Sequence, residues 1–217
     1  MRDIVIFGDG DLAEIIAFYL EKDSNYKVRA FSVDGMYLKK EKLLGRDIIP
    51  FEEIENYYPV TNCSMFIALG YAKMNKNREK KLNEAKTKGY KIAKHIHSKA
   101  IVYPDLNIGE NTFLFENNVV QPFVTIGSNN IIWSGNHIGH HTTIGNHNFI
   151  ASHAVISGRV SIENNCFVGV NATIRDSVLI DSETLIGAGA LILKDTKKGE
   201  VYSSARTRAI KLKSDKF

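Results

Sequence analysis

The stretch from Ala100 to Asp195 reads AIVYPD LNIGEN TFLFEN NVVQPF VTIGSN NIIWSG NHIGHH TTIGNH NFIASH AVISGR VSIENN CFVGVN ATIRDS VLIDSE TLIGAG ALILKD. Cut into sixes, it gives sixteen consecutive blocks whose third residue is always aliphatic, from Val102 through Ile138 to Ile192, with nothing inserted or deleted. An amphipathic helix repeats every 3.6 residues and a half-buried strand every two, so neither holds a strict period of six. The pattern predicts a parallel β-helix, in which each block is one short flat face and the aliphatic residue points into a continuous core. Three blocks per triangular turn give eighteen residues per coil and a little over five coils.

Outward from this repeat the chain changes character. Asp3-Ile-Val-Ile-Phe-Gly8 is a buried-strand run that ends in Gly8-Asp9-Gly10-Asp11, and helical apolar spacing follows at Leu12, Ile15, Ile16, Phe18 and Leu20. Lys27–Val33 reads as a second strand ending at Asp34-Gly35, and Ser64–Gly70 as a third. A basic helix over 76–88 and a final strand over 90–96 complete the segment. Strands alternating with helices predict a small Rossmann-like parallel α/β sheet of four or five strands. The junction is expected at His95–Ser98, giving an α/β domain over 1–97 and a β-helix domain with a basic C-terminal tail over 98–217.

Composition bounds the chemistry. The 217 residues are 44% hydrophobic and 24% charged, enough apolar material for a core. A net charge of +4 suits anionic small molecules and is too dispersed for a nucleic-acid surface. Cys63 and Cys166 have no metal-ligand spacing and read as buried free thiols. No apolar run is long enough to span a bilayer and no signal peptide is evident, so the expected location is cytoplasmic, away from membranes.

Two clusters carry candidate chemistry. At the first, Gly8 and Gly10 between a strand and a helix place backbone N–H groups where a phosphate or ribose can sit. The third glycine of the dinucleotide fingerprint is missing, which argues against a full NAD site. Asp9, Asp11 and Asp34, with Gly70 and Tyr71 at the end of the next parallel strand, are the candidate substrate-binding residues, because ligands of open α/β sheets collect at the carboxyl ends of the strands. A tight turn with a capping aspartate is the purely structural reading of the same residues.

Five of seven histidines lie in the second cluster, between 137 and 153. His141, His147 and His153 occupy position six of successive blocks, so they fall at successive corners and are poorly placed to share a metal; no metal site is expected. His137 sits at position two. His140 alone sits at position five, with Gly158 one coil away leaving open wall beside its imidazole. An imidazole titrates near neutrality and can take a proton from an attacking amine or hydroxyl.

Asn136-His-Ile-Gly-His140-His-Thr-Thr-Ile-Gly145, followed by Gly158, Cys166-Phe-Val-Gly-Val-Asn171 and Leu185-Ile-Gly-Ala-Gly-Ala190, resembles the bacterial left-handed β-helix sugar acyltransferases. Within them it is similar to the group joining sialic-acid O-acetyltransferases to nucleotide-amino-sugar N-acetyltransferases, along nearly the whole chain. The resemblance implies the left-handed winding of the helix. It implies a homotrimer binding acetyl-CoA between adjacent subunits, with His140 as general base and the nucleotide of the sugar held by the N-terminal domain. It places Gly158, Val170 and Ala188 along the CoA, and puts Phe149 where a relative touches the cofactor with histidine. An acidic residue usually follows the catalytic histidine; here His141 stands in that catalytic position, and Glu116 is a candidate substitute carboxylate. Arg206 and Arg208 replace a terminal motif and can meet CoA phosphates.

The expected function is acetyl-CoA-dependent N-acetylation of a UDP- or dTDP-linked amino-deoxysugar in bacterial surface-glycan biosynthesis. The alternative is O-acetylation of a sugar such as sialic acid. A hydroxyl leans harder on its base than a neutral amine does, so the lack of an acidic partner favours the amine. A non-catalytic scaffold would instead show no acetyl-CoA binding.

Overall fold

The computed structural model describes residues 2–205. In the α/β domain the elements run β1 (Arg2–Phe7), α1 (Asp11–Asp23), β2 (Tyr26–Val33), β3 (Lys42–Leu43), β4 (Arg46–Pro50), α2 (Ile54–Tyr57), β5 (Cys63–Ile67), α3 (Lys76–Thr87) and β6 (Lys91–Ile92). Their order across the sheet is β3-β4-β2-β1-β5-β6, and only the edge strand β3 runs antiparallel. The sheet therefore has six strands where four or five were expected. Buried Ile4, Val5, Ile6, Phe31 and Phe66 fill both of its faces, as a covered parallel sheet requires.

The expected strand over 90–96 is two strands in two domains. Lys91–Ile92 closes the first sheet beside β5, while His95–Ile96 pairs in parallel with Phe113–Leu114 of the β-helix. Lys94-His-Ile-His-Ser-Lys99 is a further block in phase, and its third residue, Ile96, packs against the helical core. At the other end Val201–Tyr202 pairs with Leu185–Ile186 and adds a last strand to the final coil.

Each block places residues two and three in a two-residue strand that pairs with the block eighteen residues on, as in Ile131↔Phe149↔Phe167 and His137↔Val155↔Thr173. Three parallel sheets result: sheet I through 113–114, 131–132 and 149–150, sheet II through 119–120, 137–138 and 155–156, and sheet III through 125–126, 143–144 and 161–162. The winding is left-handed. Every third residue from Leu114 to Ile186 is buried, and each aliphatic side chain removed from water contributes about 1.5–3 kcal/mol.

The corners explain two other columns of the repeat. Position six is left-handed at every block from Asn111 (φ 53) to Gly189 (φ 66), a conformation that asparagine, histidine and glycine adopt most readily. His141, His147 and His153 (φ 58, 63 and 60) obey this corner rule. Position one is buried and polar in several blocks. There Asn118, Asn130, Asn136 and Asn148 accept the backbone N–H one coil ahead at 3.1, 2.8, 2.7 and 2.7 Å, a ladder that satisfies buried amides where no strand partner exists.

The α/β domain rests on the outward face of sheet I, where Phe113, Ile131 and Phe149 meet Tyr19 of α1 and Phe66 of β5. Helix α3 runs along the edge between sheets III and I, from the Lys86–Glu110 ion pair to Lys76–Glu183 at 2.5 Å. Its Arg78 is fully buried and faces no carboxylate. Instead the guanidinium donates to the carbonyls of Asn129 (3.1 Å) and Asn148 (2.9 Å) on the β-helix and of Leu69 (3.1 Å) and Gly70 (3.0 Å) after β5. Burial lowers its pKa to about 9. Replacing Arg78 by Met strands these acceptors, at about 1–3 kcal/mol for each one left buried and unpaired. Urea denaturation of Arg78→Met should therefore show a loss on the order of 3 kcal/mol, and a loss below about 1 kcal/mol would mean that water replaces the guanidinium at no cost.

Candidate functional site

His140 follows the sheet II strand His137–Ile138 and lies exposed on the edge between sheets II and III. Its backbone N–H donates to Gln121 Oε1 at 2.8 Å, which fixes the corner. The imidazole lies flat over Gly158: a Cβ there would come within 2.8 Å of both Cε1 and Nε2. The expected open wall is thus filled by the histidine ring itself, and the glycine is what lets the ring lie down. The Gly158 N–H donates to no group among the described residues.

His140 Nδ1 lies 3.0 Å from His141 Nδ1, with the two rings at 88°. His141 in turn packs against Phe123, ring centroids 4.7 Å apart. Glu116, the candidate carboxylate partner, sits on the edge between sheets I and II instead. There it lies beside Tyr19, whose hydroxyl is held above its ordinary pKa first by burial and then by that carboxylate. It does not orient His140 within the chain.

The remaining histidines have structural settings. His147 Nδ1 is 2.8 Å from Asn129 Nδ2, and its Nε2 is 3.7 Å from Glu79 of α3. His153 covers Gly135 as His140 covers Gly158. His137 lies in register between Val119 and Val155 on sheet II. Among the described residues no group of three or more His, Cys, Asp or Glu can hold a metal ion. The Cys63 and Cys166 thiols are buried and free, and burial pushes them up to about 11 and about 12.

The candidate cofactor residues do not converge within one chain. Gly158 shares the edge of His140, whereas Val170 and Ala188 stand one coil apart on the edge between sheets I and II. The Val170 carbonyl accepts from Gly189 N–H (2.8 Å) and that of Ala188 from Ser204 Oγ (2.8 Å). Phe149 is only 7% exposed, because Tyr71, Trp133 and Phe167 cover it at the domain seam. An aromatic at position two of sheet I is core of that seam, so its side chain is not available to a cofactor here. Arg206 and Arg208 lie outside the described residues.

At the carboxyl ends of β1, β2 and β5 a cavity of about 440 Å³ holds Gly8, Asp9 and Asp34 together. Gly8 has φ +128, and a Cβ would meet the Ala68 carbonyl at 2.7 Å, so this turn needs glycine. Gly10 caps α1 and Asp11 begins it, beside the cavity. Gly70 and Tyr71 do not line it: the Gly70 carbonyl is taken by Arg78, and the Tyr71 ring packs at a tilt against Phe167, centroids 4.6 Å apart.

Sequence reading missed the cations of this cavity, Lys73, Lys80 and Lys81. The last is buried, bridges Asp34 (2.5 Å) and Glu84, and lies over the Phe7 and Phe51 rings at 4.8 and 4.5 Å. Burial opposes its charge, but the two carboxylates win and raise its pKa. The signal was present in the basic helix: Asn77, Lys81 and Glu84 recur at three- and four-residue spacing on one face.

Comparison with known proteins agrees with this architecture. The bacterial transferase hexapeptide family (six repeats) matches residues 105–140 and 123–158. No curated protein sequence matches the chain. Among solved structures, PerB from Caulobacter crescentus in complex with CoA and GDP-perosamine is 23% identical with a TM-score of 0.84, covering 94% of this chain and 95% of that one. The acetyltransferase domain of PglB from Neisseria gonorrhoeae is 21% identical with a TM-score of 0.84 over 94% and 97% of the chains, and has also been solved with acetyl coenzyme A. WeeI from Acinetobacter baumannii is 20% identical with a TM-score of 0.70 over 93% and 96%.

Two histidines of the domain seam make it sensitive to acid. Burial holds His95, 3.0 Å from Asp23, and His147 below the ordinary imidazole value, against the pull of Asp23 and Glu79. The unfolded chain takes these protons first, so the stability they carry is complete above about pH 6.5 and is lost as pH falls below it. Thermal melts from about pH 7.5 down to about pH 5 should show a falling Tm. His147→Asn, which suits the left-handed corner, should make the fall shallower; an unchanged slope would exclude His147 as a contributor. Residues 105–158 match the hexapeptide repeats of bacterial transferases, and along nearly its whole length the chain has the fold shared by PerB and the PglB acetyltransferase domain, a small α/β domain on a left-handed parallel β-helix.

Proposed function

We propose that this protein is an acetyl-CoA-dependent sugar N-acetyltransferase acting on a nucleotide-linked amino-deoxysugar. The observation that carries the reading is His140: an exposed imidazole laid over Gly158, with Nδ1 engaged and Nε2 facing no partner among the described residues. Support comes from the fold it shares with PerB, which holds CoA and GDP-perosamine, and with the PglB domain, which holds acetyl-CoA. The lysine-lined cavity at Asp34 suits the anionic nucleotide half of the substrate.

In this mechanism the sugar amine attacks the thioester carbonyl and its proton passes to His140 Nε2. The unpartnered Gly158 N–H stabilises the developing oxyanion. The C–S bond then breaks, the amide is released, and His140 returns the proton to the leaving thiolate. No covalent acyl-enzyme is needed.

The site needs a second copy of the chain. In a triangular coil the edge between sheets II and III, which carries His140, lies opposite sheet I, on which the α/β domain rests. One chain therefore keeps its nucleotide cavity and its base apart. On sheet II the register column Ile101, Val119, His137, Val155, Thr173 and Leu191 exposes apolar side chains at Ile101, Val155 and Leu191, which subunits can bury. A homotrimer with sites between subunits satisfies both requirements.

An assay of acetyl-CoA with UDP-, dTDP- and GDP-linked amino sugars, and with free and CMP-linked sialic acids, tests the reading. Turnover of an amine acceptor is expected; acetylation of only the sialic acids would replace N- by O-transfer. His140→Ala should lose on the order of a hundredfold or more in kcat, and activity near wild type would sink its assignment as the base. Mixed trimers of inactive His140→Ala with an inactive Lys73→Gly/Lys80→Ala cavity variant should regain activity, because some interfaces then hold one intact half from each. No regain would place the whole site in one subunit.

A further inference from the structure

The Nδ1 atoms of His140 and His141 are 3.0 Å apart, and two imidazole nitrogens at that distance need one hydrogen between them. Only two arrangements of the neutral pair provide it. If His141 donates, the His140 proton resides on Nε2, and that atom cannot accept another. If His140 donates, its Nε2 carries a free lone pair beside Gly158. Resting on the acyltransferase reading, we propose that His141 is a positioning residue that holds His140 in the Nδ1-protonated tautomer, and that Phe123 holds the His141 ring for that task.

Local geometry supports the assignment. Phe123 is 71% exposed and has φ 66, a left-handed conformation that a bulky aromatic side chain adopts at a cost. It occupies the same corner column as His141 one coil earlier, and its ring packs on the imidazole at 4.7 Å. The Pro122 carbonyl accepts the His141 N–H at 3.2 Å, which pins the backbone between them. The charged residues in these columns are Asp105, Arg159 and Asp195 with His141, and Asp176 and Lys194 with Gly158. Among the described residues none of them pairs with either ring.

The arrangement also accounts for proton uptake. When His140 Nε2 takes the proton from the amine, its Nδ1–H keeps donating to His141, and the bond becomes charge-assisted. A proton on His141 Nδ1 would abolish the acceptor and leave His140 without its partner. Histidine thus does what a carboxylate would do, without contributing a negative charge.

Two measurements test the proposal. Imidazole 15N NMR of the trimer near pH 8, with peaks assigned through His140→Gln and His141→Asn, should show His140 protonated at Nδ1 and His141 at Nε2; the reverse pattern overturns it. In the acyl-transfer assay, His141→Gly removes the acceptor while relieving the left-handed corner, and should lower kcat by about ten- to a hundredfold with little change in the KM for acetyl-CoA. His141→Asn, whose amide oxygen can accept the same bond, should recover much of that loss. His141→Asp should move the acid limb of the pH profile upward, since a carboxylate favours the imidazolium. A His141→Gly enzyme with wild-type kcat and pH profile overturns this inference and leaves the acyltransferase reading standing. Wild-type protein that transfers no acyl group overturns that reading, whereas the NMR result still decides the tautomer.

Discussion

At the centre of the seam between the two domains lies a buried cation with no anion beside it. Arg78 reaches from α3 into the seam and donates to carbonyls of both the β-helix and the loop after β5. Carbonyl oxygens spread the compensation over several dipoles, so the guanidinium is satisfied only when both domains are in place. Around it, Asn111 exchanges two hydrogen bonds with the Ile67 backbone, Asn75 donates to the Cys166 carbonyl, and Asn165 reaches Met74 and Glu79. A seam built this way is directional and intolerant of sliding, unlike a purely apolar one.

That constraint reaches the candidate chemistry. Lys73, Met74 and Asn75 are three consecutive left-handed residues between β5 and α3 (φ 52, 51 and 64), and Lys73 lines the cavity at Asp34. Backbone in this region persists only where its surroundings over-determine it, and here the β-helix provides the hold through Cys166 and Asn165. The other face of α3 carries Lys80 and Lys81 to the same cavity. One helix therefore spends one side on the seam and the other on the cavity.

How legible was this in the sequence? The strict period of six was enough to place the buried aliphatic column at position three and to separate His140 from the corner histidines, but not the apolar residues at position one, such as Val124, Val160 and Val178, that complete the core. The period also contained the block at Lys94–Lys99, hidden because its outward residues are two histidines and two lysines rather than a recognisable motif. The left-handed corners give position six its asparagines, glycines and histidines, so the density of histidine at 137–153 reflects backbone conformation as much as chemistry. Gly70, Tyr71 and Phe149 stand apart from the Asp34 cavity and the His140 edge for a shared reason. Each has the residue type and position of a ligand contact, but Arg78 and the aromatic stack claim them for the seam.

By itself, then, the sequence determined what repeats and what alternates: the β-helix with its coil length, the α/β character of the first domain, and the register that singles out His140. These follow from periodicity, which is local and additive along the chain. Tertiary structure alone decided that Gly158 lies beneath an imidazole, that His141 rather than Glu116 meets His140, and that Lys81 neutralises Asp34. Such pairings depend on which side chains from distant segments reach the same few ångströms, and on which competing partner has already taken a polar atom. Spacing along one strand or one helix carries no record of that competition.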